Sequence, residues 1–197
     1  MDKHLNVNQS YLGATAVIDY YHPEVQQLSK ELANNNSDTA IIAKNCFEWV
    51  RDSISHSVDV QRTEVSCSAS EVLQMGHGFC YAKSHLLAAL LRANDINAGF
   101  CYQRLSDDRG GYALHGFNTV YLPHLGWYRV DARGNKPGVN AQFEPPHEQL
   151  AFSNSATGEI DYGFNFSEPW PTVVRALRQA KNVQQLLRKL PDKIHMG

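Results

Sequence analysis

A cysteine at the start of a helix is the most reactive group that the sequence presents. Cys80 lies in the first turn of FCYAKSHLLAALLRA, whose Ala and Leu content predicts the strongest and most buried helix of the chain. A helix N-terminus carries partial positive charge and unpaired N–H groups, and these favour the nucleophilic thiolate. Gly76 and Gly78 before it would let the backbone approach a substrate closely. The alternative is that Cys80 is one more small buried hydrophobe.

A histidine and an aspartate lie on two predicted strands that the turn PHLG joins into a hairpin. If Leu122 pairs with Gly126, the loop has three residues and His115 is a diagonal neighbour of Asp131 on one face. If Leu122 pairs with Trp127 instead, the two side chains lie on opposite faces. A working His–Asp pair therefore requires a loop with an odd number of residues or a bulge.

These three residue types together would make a nucleophilic triad. His115 would accept the Cys80 proton, or form a thiolate–imidazolium pair with it, and later protonate a leaving amine. Asp131 would hold the imidazole in one tautomer and stabilise its charged form. The structural alternative is an edge-strand histidine and an aspartate that caps the turn after its strand.

The elements around these residues run from helices to strands, which predicts an α+β fold. Pro23 opens a helix to about residue 32, and Ser37 or Asp38 caps a second helix. Ser68 and Glu71 form a capping box for a short helix that stops at Gly76. Strands are predicted at 96–105, 114–122 and 127–133.

The last third of the chain begins with a proline-rich segment, 134–171, that holds five of the eight prolines. We expect it to be ordered but irregular, and its aromatic residues could form a wall or lid over the site. Residues 170–197 carry six Lys and Arg against one Asp and return to helical periodicity. This amphipathic helix is expected to dock on its own domain or on a second copy in a homodimer; an acidic membrane or partner helix is the alternative.

Length, charge and cysteine usage exclude several classes of protein. The 197 residues suit one domain, and the net charge of −2 argues against a nucleic-acid partner. Four cysteines form no CxxC pair, and no apolar stretch approaches the roughly 20 residues that span a bilayer. We therefore expect a cytoplasmic protein with free thiols and no membrane partner.

A zinc site is the main rival use of the same residues. His77 and Cys80, together with His115, His124 or Asp131, could supply nitrogen, sulfur and oxygen ligands. The sequence offers no second pair of closely spaced ligands, and its nine histidines make coincidence common. We expect no metal and no cofactor.

The sequence resembles the transglutaminase-like superfamily, and most closely its small single-domain bacterial members described as candidate cysteine proteases. Three stretches carry the resemblance: SASEVLQMGHGFCYAKSHLLAALLRA at 68–93, HGFN at 115–118 and GWYRVD at 126–131. It implies Cys80 as nucleophile, His115 as base and Asp131 as orienting acid. The implied fold is papain-like, one transglutaminase-like domain over 1–197 whose cysteine-bearing helix packs on an antiparallel sheet.

The resemblance is specific for mechanism and poor for substrate. Two departures are DIN at 95–97, where the family commonly has Gly-Ile-Pro, and Phe117, where it commonly has Trp. We expect cysteine-dependent acyl transfer on an amide through a thioester, most simply hydrolysis of a peptide or protein amide. A protein-glutamine transglutaminase and a non-catalytic binding module with the same fold are the alternatives.

The oxyanion hole is defined only in part. The backbone N–H of Cys80 is one natural donor. The sequence leaves four side chains open as the second donor: Trp49, Gln74, Tyr81 and Gln103.

Overall fold

The computed structural model describes residues 9–107 and 109–194, and it is α+β as predicted. The helices are α1 Pro23–Ala33, α2 Thr39–Ser53, α3 Ala69–Met75, α4 Cys80–Arg92, α5 Pro171–Gln179 and α6 Val183–Arg188. The strands are β1 Ser55–His56, β2 His77–Gly78, β3 Ala98–Ser106, β4 Tyr112–Leu122, β5 Gly126–Val130, β6 Gln142–Glu144, β7 His147–Gln149 and β8 Ile160–Asp161. In the described parts of the chain, no helix combines the length and apolar character needed to cross a membrane.

Local capping signals set the ends of the first helices. Of the two predicted caps for α2, Asp38 is the residue that caps the helix. Its carboxylate accepts from the N–H groups of Ala40 and Ile41. The capping box of α3 is present as predicted, and the helix ends at Gly76 with φ of 67°. Helices α1 and α3 begin and end within about one residue of their predicted positions, and α2 begins at its predicted cap.

Helix α4 is buried along its whole length and packs on α2, α3, β3 and β4. Its buried cations are satisfied by backbone carbonyls. Lys83 donates to the carbonyl of Ile54 at the end of α2, and Arg92 donates to those of Gly13 at 2.5 Å and Ala98 at 2.7 Å. Because a buried charge is tolerated only when it is paired or hydrogen-bonded, these bonds also fix the position of α4.

The main sheet is antiparallel, with the strand order β5-β4-β3-β8. In the hairpin, Leu122 pairs with Gly126, so the loop has the three residues Pro123, His124 and Leu125. This is the register that places His115 and Asp131 on the same face. Strand β5 ends at Val130, and Asp131 follows it directly.

The proline-rich segment 134–171, which follows the hairpin and is named the covering segment, is more regular than predicted. Strands β6 and β7 pair with each other, and β8 joins the edge of the main sheet beside β3. These three strands are only two or three residues long, so hydrophobic alternation could not reveal them.

The C-terminal segment forms two helices where the sequence predicts one. Ala180 has extended backbone, with φ of −75° and ψ of 124°, and it ends α5. Asn182 then caps α6 by accepting from the N–H of Gln185. Both helices bury apolar side chains, among them Leu177 and Leu186, in the core that α4 also enters.

Candidate active site

Cys80 is the first residue of α4, and its side chain is nearly buried, with 6% of the residue exposed. The chain reaches it through β2, whose Gly78 pairs with His56 of β1. Gly78 is required by close packing and Gly76 by its backbone conformation. A Cβ on Gly78 would lie 3.3 Å from the Ser66 hydroxyl oxygen, and Gly76 ends α3 in the left-handed region.

His115 and Asp131 form a short buried hydrogen bond. His115 Nε2 lies 2.7 Å from Asp131 Oδ2, and the residues are 5% and 1% exposed. The carboxylate also accepts from the backbone N–H groups of Arg133 at 3.1 Å and Ala151 at 3.0 Å. Three donors therefore hold this carboxylate, and its orientation in turn fixes the imidazole.

Cys80 lies near enough to His115 to be one of the groups that raise the pKa of this histidine. Because Nε2 is engaged by Asp131, Nδ1 is the ring nitrogen left for a thiol. The structure thus joins two of the three residues that the sequence singled out, His115 and Asp131, by a hydrogen bond. A thiol, an imidazole and a carboxylate in this order can form a thiolate–imidazolium pair that the carboxylate stabilises.

The electrostatics of His115 favour its charged form. Burial alone lowers the pKa of His115, but the Asp131 carboxylate, its hydrogen bond with His115 and the neighbouring Cys80 side chain outweigh burial and raise this pKa to about 10. An imidazolium held at this position is the electrostatic partner that a Cys80 thiolate requires.

Aromatic rings enclose the imidazole on two sides. Phe117 stacks against it with ring centroids 5.9 Å apart, and Phe152 from the covering segment meets it edge-on at 5.0 Å. Apolar rings at these distances lower the local dielectric, which strengthens the His115–Asp131 bond. Phe152 is thus one residue of this segment that reaches His115.

His56 is a buried histidine, close enough to His115 and Arg133 for their charges to lower its pKa, that the sequence analysis did not consider. It is buried, its ring lies 5.0 Å from that of Phe79, and its Nδ1 has no hydrogen-bond partner. Burial, then the Arg133 cation, lowers the pKa of His56 well below its usual value, so the ring is neutral. A two-residue strand carries no periodicity, and nothing in the sequence marked this histidine.

A salt-bridge cluster closes one side of the site. Arg133 binds Asp59 through both terminal nitrogens, at 2.5 and 3.0 Å, and Lys136 reaches the same carboxylate at 2.7 Å. Burial raises the pKa of Asp59, but these two cations outweigh it and lower the pKa. The Arg133 guanidinium also lies 5.8 Å from the centre of the Phe152 ring.

The four side chains considered for the oxyanion hole lie in different places. Gln74 donates to Glu24 on the surface, at 3.0 Å, and Trp49 packs against the core. The Tyr81 hydroxyl donates to the carbonyl of Leu114. Gln103 is buried directly opposite His115 on the neighbouring strand.

The residues considered as zinc ligands do not form one cluster in the described parts of the chain. His77 forms a hydrogen bond with the Ser57 hydroxyl at 3.0 Å, and His124 lies in the hairpin turn. Within residues 9–107 and 109–194, no group of three His, Cys, Asp or Glu side chains could hold a metal ion.

The other three cysteines are free thiols and are buried. Burial raises the pKa of Cys46 to about 12, of Cys67 to about 11 and of Cys101 to about 12. All three are therefore poor nucleophiles near neutral pH.

Comparison with solved structures shows the fold. A candidate cysteine protease from Cytophaga hutchinsonii superposes with a TM-score of 0.52 at 18% identity, over 62% of this chain and 40% of that one. The periplasmic domain of TgpA from Pseudomonas aeruginosa gives 0.46 at 19% identity, over 62% and 45%. Red sea bream transglutaminase gives 0.44 at 13% identity, over 66% and 32%. The chain thus spans less than half the length of each of these proteins.

The family is shown by sequence. No curated protein matches the chain. The profile of the transglutaminase-like superfamily, however, matches residues 26–132, more than half of the chain, and this range includes Cys80, His115 and Asp131. The match confirms the resemblance carried by the motifs around these residues. The chain belongs to the transglutaminase-like superfamily.

Proposed function

We propose that the protein is a cysteine-dependent amide hydrolase with Cys80 as nucleophile, His115 as acid and base, and Asp131 as the orienting acid. The observation that carries the proposal is the 2.7 Å bond between His115 and Asp131 beside a cysteine at the start of a buried helix. Superfamily membership supports cysteine chemistry of this class.

The reaction follows from the positions of these groups. The Cys80 thiolate attacks the amide carbon, and the developing oxyanion is stabilised by the Cys80 backbone N–H at the start of α4. The C–N bond breaks as the His115 imidazolium gives its proton to the leaving amine, which leaves a thioester. Water then gives a proton to His115 and attacks the thioester carbon, which releases the acid and restores the thiolate.

Hydrolysis is the proposed outcome because water is the only acceptor it requires. A transferase must bring an amine to the thioester before water arrives. The proposed substrate is accordingly a peptide or protein amide. We also propose that the protein acts in the cytoplasm, since all four cysteines are free thiols, the state that reducing compartments maintain.

The test is the rate of alkylation of each cysteine, read by peptide mass spectrometry on the wild type and on His115→Ala. We expect Cys80 alone to react fast near pH 6, and this selectivity to vanish in the variant. Peptide amides would then be screened with and without an added amine, so that product with the amine incorporated identifies a transferase. If Cys80 reacts no faster than Cys67, and the substitution changes nothing, the fold serves binding without turnover and the proposal is wrong.

A further inference from the structure

Helices α5 and α6 enclose a pocket of about 310 Å³ together with the chain that follows α6. Ala176 of α5, Ala180 between the helices, Leu186 of α6 and Pro191 beyond it form its apolar lining. Sites for small molecules are concave, mostly apolar and about 300–1,000 Å³ in volume. The pocket therefore has the apolar surface of such a site and a volume at the lower end of this range.

One wall of the pocket, residues 191–193, is fastened to the main sheet. The carbonyl of Pro191 accepts from the N–H of Leu114 on β4 at 2.8 Å, and the carbonyl of Asp192 accepts from Arg104 Nε on β3 at 3.1 Å. The opposite wall is held because α5 and α6 bury apolar side chains in the core. Both walls are thus in place before a ligand arrives, and such preorganisation lowers the entropic cost of binding.

Three cations line the pocket without a counter-charge of their own. Arg175, Lys189 and Lys193 are exposed, and none of them forms an ion pair with another residue of 9–107 or 109–194. Asp192 is the single acidic residue of the lining, and its carboxylate lies 3.9 Å from Arg104, which is outside the pocket. Three cations and one carboxylate give the lining a net charge of +2. A concave surface with this charge attracts anions and disfavours cations.

The apolar faces of α5 and α6 are not available to a membrane. A helix binds a bilayer surface by inserting its apolar face among the lipids. Here Val173 and Leu177 of α5 and Val183 and Leu186 of α6 are buried. Since these faces pack in the core, the apolar lining of the pocket is reached by a molecule small enough to enter it.

We propose that this pocket binds a small organic anion from solution, a carboxylate or phosphate group attached to an alkyl or aryl body. Lys189, Lys193 and Arg175 would pair with the anionic group, and the apolar body would cover the lining between α5 and α6. The inference goes beyond the proposed function, because no residue of the proposed triad lines the pocket.

Four probes separate the two features of such a ligand. The full chain labelled with ¹⁵N would be titrated with octanoate, with octanol as its uncharged counterpart, with octylammonium and with acetate. We expect octanoate to cause saturable shifts of the backbone amides of Ala176, Leu186 and Lys189. Octanol should bind about fivefold or more weakly, and octylammonium more weakly still. Acetate should give no saturable shift, because it has no apolar body to bury.

A matched pair of lysine variants tests the recognition of the anion. Lys189→Gln should weaken octanoate binding about two- to fivefold and leave octanol binding unchanged. Lys181→Gln is the control: this lysine is exposed in the same segment and has no ion-pair partner in the described chain, but it does not line the pocket. It should change neither affinity. Equal affinity for octanoate and octanol, or equal effects of the two substitutions, overturns the proposal.

Vesicles distinguish a free anion from a membrane lipid. The chain would be sedimented with vesicles of phosphatidylglycerol and, separately, of phosphatidylcholine. We expect it to stay in the supernatant with both. Sedimentation with phosphatidylglycerol vesicles, without binding of free octanoate, would assign the basic side chains to a membrane surface and overturn the proposal. The alkylation test of Cys80 is unaffected by either outcome, so the two proposals of this article fail separately.

Discussion

At the scale of single residues, the charge on His115 is the central feature of the site. An imidazolium would be unfavourable in a buried place, and the Asp131 carboxylate makes it favourable. Asp131 keeps its position because two backbone N–H groups, from Arg133 and Ala151, donate to it. The sequence predicted the side chains of this network by residue type. It could not indicate the Ala151 amide, because every residue but proline has one.

The His115–Asp131 bond makes stability depend on pH. The pKa of His115 is raised from 6.5 to about 10, so its stabilising contribution is fully present below about pH 6.5 and is lost as the pH rises toward 10. The substitution Asp131→Asn removes the main cause that raises the pKa of His115, while burial still lowers this pKa. We therefore expect the difference in unfolding free energy between wild type and variant, from urea titrations, to shrink between pH 6.5 and 10.

Lys83 also changes its charge in this pH range, so the stability of the wild type must be compared with that of the variant. Burial lowers the pKa of Lys83 to about 7, so this residue adds stability as the pH rises above 7, opposite in sign to His115. Most of its contribution is common to both proteins, but Asp131 also raises the pKa of Lys83, so this pKa is lower in the variant and the remaining Lys83 part of the difference falls below about pH 7. A free-energy difference that stays constant from pH 6.5 to 10 would contradict the raised pKa of His115.

At the scale of elements, the contact between α4 and β4 sets how far Cys80 lies from His115. Gly116 makes this contact possible: a Cβ there would lie 2.8 Å from Tyr81 Cδ1 and 3.2 Å from Tyr102 Cε1. Neither ring can withdraw easily, because the Tyr81 hydroxyl donates to Leu114 and the Tyr102 hydroxyl accepts from the N–H of Trp170.

We therefore expect Gly116→Ala to separate α4 from β4. The extra methyl group should destabilise the protein by about 1–3 kcal/mol and slow the alkylation of Cys80, because the thiol and the imidazole move apart. Gly13→Ala is the control, since the nearest atom to its Cβ would be 3.9 Å away. Thermal unfolding and alkylation rates measure both effects, and wild-type behaviour of Gly116→Ala would show that the contact is not critical.

At the scale of the whole molecule, the helices at both ends of the chain share one core. Leu177 of α5 is 2% exposed and belongs to the same apolar cluster as Leu86 of α4 and Phe47 of α2. The basic side chains of α5 lie outside this core, where Arg178 pairs with Glu71 at 2.6 Å. The C-terminal helices are therefore held mainly by apolar burial rather than by charge.

Leu177→Ala should accordingly destabilise the entire protein, by about 2–5 kcal/mol, in a single unfolding transition. Arg178→Ala, which removes an exposed ion pair, should change stability by about 1 kcal/mol or less. Chemical denaturation followed by both circular dichroism and tryptophan fluorescence checks this. Two separate transitions in Leu177→Ala would mean that the C-terminal helices unfold independently.

The sequence by itself determined the features that depend on near neighbours along the chain. The capping box of Ser68 and Glu71 and the Ala- and Leu-rich stretch after Cys80 act within a few residues, so the positions of α3 and α4 could be predicted. The residue types and motifs likewise indicated the family. The order of helices and strands predicted the α+β class.

Only the tertiary structure decided what depends on distant contacts. The hairpin could close in two registers, and the packing of whole strands selected the one that joins His115 to Asp131. His56 and Phe152 come near His115 through two-residue strands and a loop, which leave no periodic signal. The break between α5 and α6 is set by where each apolar face meets the core. Local preferences are small, and tertiary burial overrides them wherever the two compete.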